Sequence, residues 1–155
     1  MRIMIFVDLE NFRQSLWSID EQREPRYESF HFFLADYISK RFNWDKHNPR
    51  LIRCYVYTGE YTQSLINYIK SSMEHATDTN QKQKLTTYYE KFTKRKDAQD
   101  KLFNHMIGYP FLEVKMTPLK FDYYKGVIQK GVDVLLAVDL VLHAFQDNYD
   151  VAIIC

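Results

Sequence analysis

Met1-Arg2-Ile3-Met4-Ile5-Phe6-Val7-Asp8-Leu9-Glu10-Asn11-Phe12 opens the chain, and its reading decides the fold. Five consecutive apolar residues, Ile3 to Val7, are too few for a helix core and carry no polar alternation. That is the signature of a strand covered on both faces, as in a parallel sheet. An acid closes the run, and a helix begins near Phe12. The far end answers it with Val151 to Cys155, another short apolar run. Leu51 to Tyr57 and Leu112 to Met116 supply two more.

Between these strands the apolar spacing changes to three and four, the helical period. Tyr27 to Phe42 places Phe30, Phe33, Leu34, Tyr37 and Ile38 on one stripe, and Thr62 to Met73 does so with Leu65, Ile66, Ile69 and Met73. Lys82 to Ile107 continues the pattern. Val132 to Phe145 is apolar almost all round, which predicts a central helix pressed onto the sheet. Strand and helix alternating in this order predict a right-handed doubly wound α/β sheet. In such sheets ligands bind beyond the carboxyl ends of the strands, so Asp8 stands where chemistry is expected.

The 155 residues, 46% of them hydrophobic, suit one domain with a core of ordinary size. Twenty-one Lys and Arg against 20 Asp and Glu leave a net charge of +1, so any charged partner must be met by a local patch. Two cysteines, Cys54 and Cys155, are too few for a disulfide scaffold and read as buried thiols. The first apolar run is too short for a secretory leader, and no stretch reaches the roughly 20 apolar residues of a membrane helix. These features together predict a cytoplasmic protein.

Glu60 to Gly108 exceeds a normal crossover and reads as a helical insertion of two helices joined near residues 76–81. Residues 80–105 carry seven Lys and Arg against three acids, whereas residues 132–155 carry four Asp and no basic residue. Charge is therefore segregated along the chain. A lysine run of this kind is most often the wet face of an amphipathic helix.

Asp8 and Asn11 can present two oxygens to one point beyond the first strand, or they can cap the helix that follows. Asp133, in the first turn of the last helix, has the same two readings, since a carboxylate there also complements the helix dipole. Asp139, flanked by Val138, Leu140 and Val141, is a buried acid that needs a cation, a donor or a metal. It lies about 240° around the helix from Asp133, so the two need not share one ligand point. Oxygen donors gathered from strand ends and a helix start suit Mg²⁺ or Mn²⁺ and the hydrolysis of a phosphodiester. Neither a glycine-rich phosphate loop nor a zinc ligand pattern competes with that reading, and Glu10 and Phe12 depart from the Asp-x-Asp-x-Thr of haloacid dehalogenase-type phosphatases.

Asp8-x-x-Asn11 after an amino-terminal strand, Lys130-Gly131-x-Asp133 with Asp139 on a late helix, and the strand Asp150-Val151-Ala152-Ile153-Ile154 together resemble the NYN domain, the LabA-like branch of the PIN-like nucleases. The likeness spans both ends of the chain and leaves its middle undefined. It implies a PIN-like three-layer α/β sandwich, with a central mostly parallel sheet and a helical insertion at about 60–108, forming one domain over residues 1–155. It also implies a metal-dependent ribonuclease. Asp8, Asp133 and Asp139 would be the catalytic acids, and with Asn11 they would hold Mg²⁺ or Mn²⁺.

The family places a further acidic segment after the strand equivalent to Val151–Cys155, so the domain is expected to continue past residue 155. The alternative expectation is a catalytically inactive PIN-like module that binds RNA or protein. In either case single-stranded or structured RNA is the expected partner, no membrane is expected, and a homodimer is a further candidate assembly. Lys115, Lys120, Lys125 and Lys130, with Phe121, Tyr123 and Tyr124 among them, would meet phosphates and bases; the competing reading is a solvated loop with core aromatics.

Overall fold

A computed structural model describes residues 1–19 and 25–155. The elements are β1 (Arg2–Asp8), α1 (Leu9–Ile19), α2 (Phe30–Arg41), β2 (Arg50–Glu60), α3 (Gln63–His75), α4 (Thr79–Met106), β3 (Leu112–Pro118), β4 (Lys120–Asp122), β5 (Gly126–Ile128), α5 (Val132–Phe145) and β6 (Val151–Ile154). All four strands read from the sequence are present, in a four-stranded sheet of order β3-β2-β1-β6. β1 pairs in parallel with β2, from Arg2 opposite Arg50 to Asp8 opposite Tyr57, and with β6, from Ile3 opposite Val151 to Phe6 opposite Ile154. The protein is thus an α/β protein with a mostly parallel sheet.

The chain divides into two compact units. The first comprises Met1–Thr58, His105–Lys115 and Gly131–Cys155 and holds the sheet. β1 lies at its centre because its side chains are apolar on both rows: Ile3, Ile5, Phe6 and Val7 are wholly buried. Met4 and Phe6 join Tyr55, Tyr57 and Val132 in a cluster over which Leu135, Leu136 and Leu140 of α5 close. The opposite row is sealed as well, and α1 and α2 also contact β1. Helices on both faces of a sheet are compatible with a three-layer arrangement.

α5 departs from the expectation of a fully buried helix. Val132 and Asp139, seven residues apart and so on one face, point at the sheet. Val134, Val138, Val141 and Phe145 fall on the other side and are 61%, 56%, 67% and 90% exposed. A sequence apolar all round meets only one apolar surface within the unit. Cys54 is buried as expected, but Cys155 is only partly so.

The second unit, Gly59–Asn104 with Met116–Lys130, has its own core of Leu65, Ile66, Ile69, Leu85, Phe92 and Leu119. Thr62 caps α3 by accepting from the Leu65 N–H at 3.1 Å, and Asp78 accepts from Gln81 N–H at 2.7 Å at the start of α4. The segment expected as a helical insertion is therefore joined by the antiparallel hairpin β4–β5, in which Lys120, Phe121 and Asp122 face Ile128, Val127 and Gly126. Among the described residues, no helix is long and apolar enough to cross a membrane.

The turn from α5 into β6 is held at the amino end of β1 by Arg2. Its guanidinium donates to Asp150 at 2.7 Å and to Asp147 at 3.0 Å, while its own N–H donates to Asp150 Oδ2 at 2.6 Å. These bonds hold the Asp150 carboxyl down to about 2, below its ordinary value. A depressed carboxyl adds stability above its unfolded value, and that stability is lost as pH falls through the folded one. The midpoint of thermal unfolding should therefore drop between about pH 4 and pH 2. Asp150→Asn should flatten that drop while lowering Tm at pH 7; an unchanged acid profile would remove Asp150 as its source.

Candidate functional site

α5 runs back across the sheet. Its carboxyl end leads into the Arg2-bound turn at the amino end of β1, so its amino end stands at the carboxyl edge of the strands. Val132, in the first turn, belongs to the same buried cluster as Tyr57, and Tyr57 is the β2 partner of Asp8. The fold therefore brings Asp133, one residue further on, to the edge where β1 delivers Asp8. Asp133 is exposed and Asp8 half-buried. Gly131 makes the entry into α5 with φ +86°, a left-handed conformation that costs a residue with a Cβ roughly 1–2 kcal/mol.

Asp8 is fixed by its own chain. Its Oδ1 accepts from the N–H groups of Glu10 at 3.1 Å and Asn11 at 3.2 Å, so Asp8 caps α1. Its Oδ2 accepts from Asn11 Nδ2 at 2.9 Å, so Asn11 orients Asp8 while its own amide oxygen is not used in this bond. Asp8 N–H donates to the carbonyl of Cys155 at 2.8 Å, extending the β1–β6 ladder to the site. Oδ1 thus takes two donors and Oδ2 one, so one lone-pair direction, on Oδ2, meets no donor among these bonds.

Asp139 has a different surrounding. Its Oδ2 accepts from Tyr57 Oη at 2.9 Å and from Lys115 Nζ at 2.8 Å, with the carboxylate 10% and the lysine side chain 27% exposed. The same ammonium lies 4.6 Å from the centre of the Tyr55 ring. Burial alone would raise the Asp139 carboxyl; the Lys115 and Tyr57 hydrogen bonds outweigh it and hold the group below its ordinary value. Burial and the bond to Asp139 push the Tyr57 phenol well up, so it remains a donor. Of the compensations a buried acid can have, this one uses a cation and a donor.

The three expected acids stand in different surroundings. Among the described residues no three His, Cys, Asp or Glu side chains lie together where they could hold a metal ion. Asp8 and Asp133 share the sheet edge, while Asp139 is engaged under α5. Lys115, expected to meet phosphate, is engaged with it. Lys120, Lys125 and Lys130 are exposed. Tyr55 and Tyr57, which the sequence reading did not single out, were signalled only by their alternation on β2, which puts both on one face.

A scan against protein-family models finds no match, and searches of curated proteins and of solved structures find none either.

Removing Lys115 should leave a buried, unpaired carboxylate. Lys115→Met is expected to lower the unfolding free energy by about 3 kcal/mol, and Tyr57→Phe by about 1 kcal/mol. Lys115→Met combined with Asp139→Leu should recover most of the first loss. Urea denaturation of the three variants checks this, and a double variant no more stable than Lys115→Met would show that the pair is not what the lysine serves.

Proposed function

We propose that this chain is a metal-dependent ribonuclease with an NYN-type, PIN-like three-layer fold, working at the carboxyl edge of its parallel sheet. The observation that carries the reading is Asp8 at the carboxyl end of β1, held in place by Asn11, with the start of α5, and so Asp133, packed through Val132 against the Tyr57 that pairs with Asp8. Two carboxylates are few for a caged ion. They suit Mg²⁺ or Mn²⁺, which commonly take one or two carboxylates and fill their remaining positions with water and substrate phosphate.

Asp8 and Asp133 would hold that cation, which when bound supplies neutralisation of phosphate charge and a more acidic water. The chain's own residues do the positioning. Glu10 and Asn11 N–H groups fix one Asp8 oxygen, and the Asn11 amide fixes the other. Lys130 is exposed and offers an ammonium to RNA phosphate. Asp139 and Lys115 anchor α5, so they set where Asp133 stands without touching substrate.

A second reading has its own support. The separate acids and the basic second unit, with 11 Lys and Arg against 7 Asp and Glu, favour a module that binds RNA without cutting it. Labelled single-stranded RNA incubated with the protein in Mn²⁺ and in EDTA distinguishes the two. The nuclease reading expects cleavage in Mn²⁺ alone, reduced at least about 100-fold in Asp8→Asn and in Asp133→Asn. Asp8→Asn keeps an acceptor at the cap, so its Tm should stay near wild type. RNA that is bound, salt-sensitive and uncut, with no response to chelator, would leave the binding module in its place.

A further inference from the structure

The second unit contains a chain of aromatic rings that runs out of its core to an exposed tip. Tyr88 stacks on Phe92 at 5.4 Å and meets Phe121 edge-on at 5.3 Å, and Phe121 lies 6.3 Å from Tyr68 of α3. From Tyr88 the series continues through an ammonium: Lys84 Nζ of α4 is 5.9 Å from the Tyr88 ring and 4.5 Å from that of Tyr123. Tyr123 then meets Tyr124 at 5.3 Å, edge to face.

Both outer ends of this series are in solvent, Tyr68 at 60% and Tyr124 at 85% exposure. A tyrosine that exposed adds nothing to the core of Leu65, Ile66, Ile69, Leu85, Phe92 and Leu119. It is nevertheless held in place. Asp122 Oδ1 accepts from the N–H groups of Tyr124 and Lys125, each at 2.8 Å, and Gly126 closes the turn at φ +78°. Asp122 thus serves the turn, and Lys84 and Lys125 supply two cations beside it.

We propose that the β4–β5 tip, Tyr123-Tyr124-Lys125 with Lys84, is a stacking site for the bases of single-stranded RNA. The inference rests on the reading above that RNA is the substrate, and adds that the strand is held in single-stranded form by the second unit. An exposed ring accepts any base on its face, and a neighbouring ammonium meets the phosphate that links one base to the next. A duplex hides its base faces and offers such a tip only its backbone. The unit that bears the tip carries a net +4, which favours a polyanion on it.

Fluorescence anisotropy with a labelled oligouridine and with a labelled RNA duplex, in EDTA so that no strand is cut, tests this. Tyr124→Ala should weaken oligouridine binding by about 5- to 100-fold and leave duplex binding unchanged, and Tyr124→Trp should restore affinity. Lys84→Gln should reduce the slope of log affinity against log salt by about 0.7. Oligouridine bound equally well by wild type and Tyr124→Ala would overturn the tip assignment while leaving the nuclease reading intact. Tyr124-dependent binding by a protein that cuts no RNA in Mn²⁺ would sustain the tip and fail the nuclease. No oligouridine binding by wild type would overturn the tip assignment. Tighter, Tyr124-dependent binding of an acidic peptide would assign the tip to a protein partner and overturn it too.

Discussion

A carboxylate buried under a helix constrains much else in the sheet unit. Asp139 sits on the inward face of α5, and its charge is tolerable there only because Lys115 of β3 and Tyr57 of β2 reach the same oxygen. Apolar contacts alone would let α5 slide or rotate over the sheet at little cost, since Leu135, Leu136 and Leu140 are interchangeable in kind. A hydrogen-bonded ion pair is not, because a shift of one residue would turn the carboxylate away from both partners. The pair therefore fixes the register of α5 on two strands. With that register set, the first turn of the helix, and Asp133 with it, has one place to be.

Much of this arrangement was legible in the sequence, and the reason is local. Ile3–Val7, Leu51–Tyr57, Leu112–Met116 and Val151–Cys155 are apolar runs whose length and lack of helical spacing leave only a strand, and each is one. α5 was readable to the residue, since Gly131 and the apolar block after it mark both its start and its extent. Asp139 was readable as an acid in need of compensation. Its partner was not, because Lys115 lies 24 positions earlier, on a strand, and nothing local in either segment points to the other. The exposed outer row of α5 was illegible for a related reason: hydropathy reports what a side chain prefers, while exposure depends on how many surfaces the fold supplies.

The β4–β5 hairpin shows the opposite limit. Strands of three residues are too short for alternation to register, so Lys120–Ile128 read as a loop with aromatics. What makes it a hairpin is the side chain of Asp122 and the positive φ of Gly126, two turn-forming features that become informative only once the pairing is known. Pairing also changes the meaning of the aromatics. Phe121 turns inward to Tyr88 and Phe92, and Tyr124 is left in solvent, a division between core and surface that composition cannot make.

Helix capping and metal ligation stood as alternatives for Asp8, and the geometry makes them compatible. A carboxylate has about four lone-pair directions, and the two backbone N–H groups and the Asn11 amide occupy three of them. The donors hold the carboxylate in one orientation, which suits a ligand for a hard cation, and they leave one direction open. Capping is then the means by which the strand end is aimed, and Asn11 matters through Asp8. The same logic separates the acids by use. Asp139, with an ammonium and a hydroxyl on one oxygen, is committed to holding the fold, while Asp133, exposed at a helix start whose dipole favours a negative charge, is held by nothing so specific and is free to meet what arrives at the edge.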